Sequence, residues 1–389
     1  MEIILSNTVQ HIRHLSVNIG PRGSTTTQEK QAAEYVQTQF ETLGLETHWE
    51  DFASAKSGWR QFSAAALIGL GSELLFLLGG QIGALVAGLF MLVTAASVLL
   101  ESHFKPSPLD LFIAKGNSQN VWAHLPARGP ARRRVLLLAH LDTHRTPWFF
   151  IKPQRLAFFH LMTTLGVVAF VLSGIVYLLL AFVHAGAWVW FTLILVPVYL
   201  ILLVLFWQPD TTPYTPGAND NASGASIVLS LAGQLAKSPL ENVEVWALCT
   251  GCEEVGARGI YAFLQKHKAD LREMVAINLD NVGGRGVGVC YITTEGIVLP
   301  LKPSAELLRL ADAVRAERPE LGAYSQPFTL LGTDATCLLV NGIPALSFVG
   351  LTKDGTIPNW HQATDTFENI NSQAVENTEA FVLEMLKRL

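Results

Sequence analysis

Residues 156–207 contain no Asp, Glu, Lys or Arg, and this run of about fifty residues constrains the chain more than any other feature. Only His160 and His184 interrupt it with a basic group. It divides into two stretches, 156–182 and 186–207, joined near His184-Ala185-Gly186. Each is long enough to cross a hydrocarbon layer of about 30 Å. A helix buried in a soluble core fits poorly here, because so long a stretch without charge leaves no polar face for water. An earlier pair, 62–79 and 82–100, is joined by Gly79-Gly80-Gln81. Glu73 interrupts its first member. A carboxylate within a span is costly and normally has a partner or a function. Glu73 is therefore protonated, turned toward the other hairpin, or part of a shallow re-entrant entry. The expectation is an integral membrane protein with four transmembrane helices, arranged as two hairpins.

Hairpins return the chain to the side it left, so everything outside them lies on one side of the membrane. The flanks on that side carry Lys56, Arg60, Lys105, Lys115, Arg145, Lys152 and Arg155, and the two far turns carry no Lys or Arg. The positive-inside rule predicts both termini and the soluble body in the cytoplasm. The start, MEIILSNTVQHIRHLSV, lacks the pattern of a signal peptide, in line with that expectation.

About 290 residues remain outside the spans. The expected division is 1–61, first part of the catalytic body; 62–101, hairpin; 102–155, second part; 156–207, hairpin; 208–389, third part. The body alternates between helical and extended patterns. Helices are predicted at 26–43, 222–236, 256–269, 303–317 and 372–388, and strands at 43–52, 120–126, 134–140, 243–249, 274–280 and 344–350. The runs 135–139, 245–248 and 344–348 are apolar throughout, as strands covered on both faces are. The fold class is α/β: a mostly parallel mixed sheet sandwiched by helices, with the two hairpins inserted.

Charged residues make up only 15% of the chain, against about 25% in soluble domains. The net charge is −5 and no basic stripe occurs, which argues against nucleic acid as a partner. The patch 132–134, Arg-Arg-Arg, reads as a solvated strand flank. Cys249, Cys252, Cys290 and Cys337 are too few and too scattered for a disulfide framework, and read as buried thiols.

Ionisable residues gather where the buried strands end. His140 and Asp142 follow one strand, Glu253 and Glu254 come shortly after another, Asp280 ends a third, and His361 lies in the loop after a fourth. That edge is where open α/β sheets place their ligand crevice. Asp220 opens the helix that follows the second hairpin. Two histidines and several carboxylates converging there would be unfavourable unless cations sit among them. A pair of metals needs a bridging carboxylate and two further protein ligands on each side. His140, Asp220 and Asp280 would serve one ion, and Asp220, Glu254 and His361 the other. Glu253 is left as the general base, and Asp142 is expected to orient His140 through its far ring nitrogen. The donor set suits two Zn²⁺ best, and Co²⁺ or Mn²⁺ also fit.

HLDTH (140–144), GANDNASG (217–224), the paired Glu of TGCEEVGARG (250–259), INLDNVG (277–283) and HQATDT (361–366) together resemble the co-catalytic di-zinc aminopeptidases, the relatives of bacterial leucyl aminopeptidase and glutamate carboxypeptidase II. The stretch 22–46 resembles that family's opening helix and strand. The resemblance implies that Asp220 bridges the metals, that Glu253 is the base and that Glu254 is a ligand. The implied enzyme is a membrane-embedded zinc metallopeptidase (a hydrolase), most readily an aminopeptidase. Departures exist. The hairpins are insertions. Asp334 is followed by Ala335 where many relatives have His, which affects substrate contacts there. Trp360 before His361 resembles the glutaminyl cyclases, which use one zinc. That leaves a cyclase-like acyltransferase and an inactive peptidase-like membrane module as alternatives, and Asn221 favours hydrolysis because cyclases usually replace it. Tyr324 is a candidate oxyanion helper. The second hairpin departs about fifteen residues after His140 and returns about twelve before Asp220, so short links tie the site to the membrane surface. The expected substrate is a peptide or N-acyl amino acid, lipophilic if the hairpins shape the site and unrestricted if they only anchor it to the bilayer.

Overall fold

The computed structural model describes residues 6–183, 186–296 and 300–389. His184 and Ala185, in the expected turn of the second hairpin, lie outside the described residues, as do residues 1–5 of the start. The chain forms two compact units. One comprises the residues up to Lys56, Lys115–Arg145 and Tyr214–Leu389; the other comprises Ser57–Ala114 and Thr146–Pro213.

The first unit is built on one eight-stranded sheet. Its strands are β1 (Glu46–Ala55), β2 (Lys115–Leu125), β3 (Arg133–His140), β4 (Val243–Thr250), β5 (Met274–Asp280), β6 (Cys290–Glu295), β7 (Tyr324–Phe328) and β8 (Ala345–Val349). Their order across the sheet is β1-β2-β4-β3-β5-β8-β6-β7. The central strands β4, β3, β5 and β8 run parallel, and the antiparallel pairs β1–β2, β2–β4 and β6–β8 lie to either side. The expected mixed, centrally parallel sheet is therefore present. Valine, leucine, isoleucine and alanine on β3, β4, β5 and β8 are buried because helices cover the sheet.

The helices of this unit are α1 (Asn7–Arg13), α2 (Thr27–Thr42), α7 (Gly224–Lys237), α8 (Arg258–Lys266), α9 (Lys268–Leu271), α10 (Ala305–Glu317), α11 (Asp334–Val340) and α12 (Ser372–Arg388). Thr26 caps α2 by accepting the Glu29 N–H, and Gly44, at φ +72°, ends it in the left-handed region. The helix expected over 256–269 breaks at His267, whose φ of −110° is not helical. Strands β6 and β7 were not among those expected. β7 is five residues long, carries Pro327 and is mostly half-exposed, so it has no clear apolar alternation.

The second unit contains α3 (Arg60–Leu78), α4 (Gly80–Glu101), α5 (Pro153–Leu180) and α6 (Val196–Trp207). Among the described residues, α3, α4, α5 and the run Trp190–Thr211 are long and apolar enough to cross a membrane. The fourth run is not one α-helix: Gly186–Leu195 is 3₁₀ and α6 starts at Val196. Pro197 falls in the first turn of α6, where its fixed φ suits the start of a helix. Helices α4 and α5 meet at Gly88 and Gly174. A Cβ on Gly88 would come within 2.7 Å of Leu178, and one on Gly174 within 2.6 Å of Leu92. Close approach over small residues is how apolar helices pack without a water-driven force between them. Leu78, Ile82, Leu89, Phe90 and Leu172 are exposed, which suits contact with lipid. Glu73 is buried. Its Oε1 accepts a hydrogen bond from the Thr192 hydroxyl at 2.6 Å, and its Oε2 accepts one from Tyr177. Of the three readings left open for Glu73, the one that turns it toward the other hairpin matches these contacts.

Candidate metal centre

The parallel register carries the site. Leu138 pairs with Asn278, which sets His140 and Asp280 at the same level where β3 and β5 end. His140 pairs with Thr250 at the end of β4, and Glu253 and Glu254 follow in the next loop. The loop after β8 contributes His361, and the loop before α7 contributes Asp220. His140 Nε2 lies 3.3 Å from Asp220 Oδ1 and 3.5 Å from Asp280 Oδ1. His361 Nε2 lies 3.2 Å from Asp220 Oδ2 and 3.4 Å from Glu254 Oε2. Asp220 thus turns one oxygen to each imidazole.

Asp220 does not cap α7. Both Asp220 and Asn221 have non-helical backbone angles, and the peptide bond between them is cis. Asn221 does the local work instead: its Oδ1 accepts the Gly224 N–H at 3.0 Å and its Nδ2 donates to Leu279 O at 2.8 Å. That pair of bonds ties the mouth of α7 to the end of β5.

Three buried side chains fix the surrounding backbone. The Asp365 carboxylate accepts from Asn219 N at 2.7 Å and from Asp220 N at 3.0 Å. The Arg22 guanidinium donates to Leu141 O, Pro216 O and Gly217 O, lacing the end of β3 to the loop that carries Asp220. Asp142 receives the His140 Nδ1–H on its backbone carbonyl at 3.1 Å, and its Oδ1 lies 3.5 Å from the same nitrogen. Its carboxylate accepts from Glu253 N at 2.9 Å, Glu254 N at 3.1 Å and the Ser24 hydroxyl at 2.6 Å. So Asp142 touches both His140 and the main chain of the glutamate pair. Asp365 and Arg22 lie in stretches that carry the resemblance, HQATDT and 22–46, but receive no role from it; their burial and their bonds to distant backbone single them out.

The donors fit divalent cations. Among the described residues, Asp220 Oδ2 and Glu254 Oε1 are buried and receive no hydrogen bond, a costly state for carboxylates without a positive partner. Burial, and then the Asp220 charge, pushes the Glu254 carboxyl up to about 8. Burial likewise drives Glu253 well above the carboxylate range. His140 also rises, for a different reason: burial alone would lower it, but Asp142, Asp220 and Asp280 outweigh burial. Ligand atoms of His140, Asp220 and Asp280 lie within 4.8 Å of one another, as do those of His144, Glu254 and His361. His144 was not anticipated as a site residue. It stacks on His361 with ring centroids 3.6 Å apart and planes at 15°.

The remaining candidates fall as follows. Asp334, at the start of α11, is buried and accepts the Thr250 hydroxyl at 2.6 Å. Burial raises it to about 7 against the opposing pull of His140. Trp360 is buried, with its ring 4.7 Å from that of His361. The Tyr324 hydroxyl donates to Leu351 O and accepts from Gly288 N, so its described bonds go to backbone. All four cysteines are buried and unbridged.

Residues 209–386 match peptidase family M28, a stretch that includes Asp220, Glu253, Glu254, Asp280 and His361. The chain is 38% identical over 76 residues to aminopeptidase YwaD of Bacillus subtilis (19% of this chain, 16% of that protein). It is 28% identical over 192 residues to the probable lipoprotein aminopeptidase LpqL of Mycobacterium tuberculosis (43% of this chain, 38% of that protein). The alignments therefore span well under half the length of either relative. Its fold is similar to that of the aminopeptidase from Aneurinibacillus sp. strain AM-1 (TM-score 0.58, 13% identity, covering 98% and 93% of the two chains). It is also similar to that of a zinc aminopeptidase from Bacillus subtilis (TM-score 0.58, 14% identity, 100% and 96%). The Porphyromonas gingivalis glutaminyl cyclase shares the fold too (TM-score 0.54, 13% identity, 100% and 99%). Family and fold agree with the resemblance drawn from the motifs.

Proposed function

We propose that this chain is a peptidase of family M28: a membrane-embedded zinc metallopeptidase that hydrolyses peptide or amide bonds as an aminopeptidase. The observation that carries the reading is Asp220, a buried carboxylate with one oxygen toward His140 and the other toward His361. His140, Asp220 and Asp280 would hold one Zn²⁺, and Asp220, Glu254 and His361 a second; Co²⁺ and Mn²⁺ suit the same donors. Bound there, the pair would supply Lewis-acid polarisation of the scissile carbonyl and acidify the attacking water. Glu253 takes the proton from that water on a carboxylate oxygen and delivers it to the leaving amine nitrogen. Asp142 holds Glu253 in place through its main-chain N–H. Asp334, Trp360 and Tyr324 are the side chains assigned to the substrate's side of the reaction.

The reading of the protein as bilayer-embedded is supported by four runs long and apolar enough to cross a membrane, and that of a cytoplasmic body by the Lys/Arg bias of their flanks. Short links between the spans and His140 or Asp220 favour a lipophilic peptide or N-acyl amino acid. A cyclase-like acyltransferase is the second reading, supported by the Trp360–His361 contact and the shared fold. Metal content separates them: two ions per chain for the peptidase, one for the cyclase. The test uses full-length protein in detergent with aminoacyl, N-acyl and lipopeptide substrates, before and after chelation and zinc return. Glu253→Gln should keep its metal and lose turnover by roughly 10²–10⁴-fold. Full activity in that variant, or activity indifferent to chelation, overturns the proposal.

A further inference from the structure

We propose that Glu29 is a positioning residue for Glu253, acting through the main chain of Cys252. This rests on the metallopeptidase reading, in which Glu253 is the base, and adds to it a buried carboxylate to which the resemblance gives no role. The N–H groups of Cys252, Glu253 and Glu254 are held in succession by two buried carboxylates. Asp142 takes those of Glu253 at 2.9 Å and Glu254 at 3.1 Å. Glu29 takes that of Cys252 on Oε1 at 2.9 Å, and the Cys252 Sγ lies 3.4 Å from the same oxygen. Cys252 sits at φ +55°, a left-handed conformation that a residue with a side chain keeps only where its surroundings impose it. Its carbonyl accepts the Arg258 N–H at 2.9 Å, which closes the loop on the other side. The fit around Glu29 is tight: a Cβ on Gly251 would come 2.9 Å from its Oε1 and 2.4 Å from Ser118 Oγ.

The two oxygens of Glu29 have different tasks. Oε2 accepts the Thr25 N–H at 2.7 Å, the backward reach usual for an acid in the first turn of a helix. Oε1 leaves its own helix for Cys252. An acid that only supports a helix start can do so at the surface, where the N-terminal partial charge already favours it. Glu29 is instead fully buried, at 0% exposure, between α2 and the loop that carries the glutamate pair. The bond to Cys252 fixes the turn from which Glu253 projects, and a base must stay within hydrogen-bond reach of the proton it takes.

Glu29→Asp and Glu29→Gln pull the two tasks apart. Aspartate keeps the charge at the start of α2 but is one methylene shorter and withdraws from Cys252. Glutamine keeps the length and an oxygen for the Cys252 N–H, but loses the charge. Full-length protein in detergent is assayed at saturating zinc, with zinc affinity read by competition with a chromophoric chelator, so that turnover is compared between fully loaded enzymes. Positioning predicts that Glu29→Asp loses kcat by roughly 10- to 100-fold, the cost of an outer partner, with KM unchanged. Glu29→Gln should keep more of kcat than Glu29→Asp, the reverse of the order expected for an acid that serves only the helix start. A Glu29→Asp protein with wild-type kcat overturns the proposal and leaves Glu29 as a support of α2. Should Glu29→Asp fail to fold, Glu29→Met, which fills the space without an acceptor, takes its place: a similar loss of kcat supports the proposal and wild-type kcat overturns it. A wild type whose hydrolysis survives chelation would remove the metallopeptidase reading itself, a different result from a zinc-dependent wild type that Glu29→Asp equals.

Discussion

Buried carboxylates occur in both compact units, and they are held in opposite ways. In the apolar bundle, Glu73 has a hydroxyl on each oxygen, from Thr192 and Tyr177. Glu295 in the body is treated similarly, accepting from Thr333, Thr336 and Ser347. At the sheet edge the balance reverses. Asp220, Glu253, Glu254 and Asp280 crowd together, and among the described residues Asp220 Oδ2 and Glu254 Oε1 receive no hydrogen bond. A carboxylate surrounded by hydroxyls is complete as a structural element. A cluster with more anionic oxygens than donors is complete only with cations. Burial alone does not distinguish the two; the donor count does.

The comparison can be broken most sharply at Asp220. Asp220→Ala should cost metal at both sites and lower hydrolysis by more than the roughly 10²–10⁴-fold expected from loss of a proton-transfer group; metal analysis beside turnover measures it. Full metal content in that variant would place Asp220 with the structural carboxylates. Next in size is Asp142→Ala, which frees the main chain of Glu253 and Glu254 and the Nδ1 side of His140. Its expected cost is about 10- to 100-fold in metal affinity or turnover, read by the same chelator competition.

The bundle should respond differently. Glu73→Leu removes the acceptor of the buried Tyr177 hydroxyl and of the half-buried Thr192 hydroxyl and should cost about 1–3 kcal/mol of stability by thermal unfolding in detergent. Metal content should not change, and Glu73→Gln, which retains an acceptor, should cost less. Loss of metal on changing Glu73 would dissolve the distinction. The smallest effect is expected at Glu50, a carboxylate held by nitrogen donors. Burial pushes it up, but hydrogen bonds from His267, Trp122 and Lys266 prevail and lower it to about 2 from an ordinary 4.5. A depressed carboxyl stabilises the folded state above its unfolded value, and that contribution fades as pH falls from about 4.5 toward 2. Glu50→Gln should flatten the stability profile in that window and leave it unchanged in slope above.

Legibility differed between elements for physical reasons. The apolar runs of β3, β4 and β8 announced a doubly covered sheet because burial on both faces leaves no polar position. β7 did not, because a short edge strand with Pro327 and half-exposed side chains has no such pattern. The fourth apolar run was legible by length, yet its change from 3₁₀ to α at Val196 was not, because hydropathy does not record helix type. Among site residues, His140, Asp280 and the glutamate pair were readable because each follows a recognisable strand. His144, Arg22 and Asp365 were not, because their roles depend on contacts with distant segments.

The sequence by itself determined the class of the molecule: an α/β body interrupted by two apolar hairpins, with acids and histidines at strand ends. Hydropathy and period suffice for this, since they record which faces meet water. Only the tertiary structure decided which oxygen of Asp220 faces which imidazole, that Asn221 rather than Asp220 secures the helix mouth, and that His144 lies against His361. Those outcomes depend on the register of β3 against β5 and on loops brought together across the sheet edge. Separations of a few ångströms between residues more than two hundred positions apart are not encoded in any local pattern.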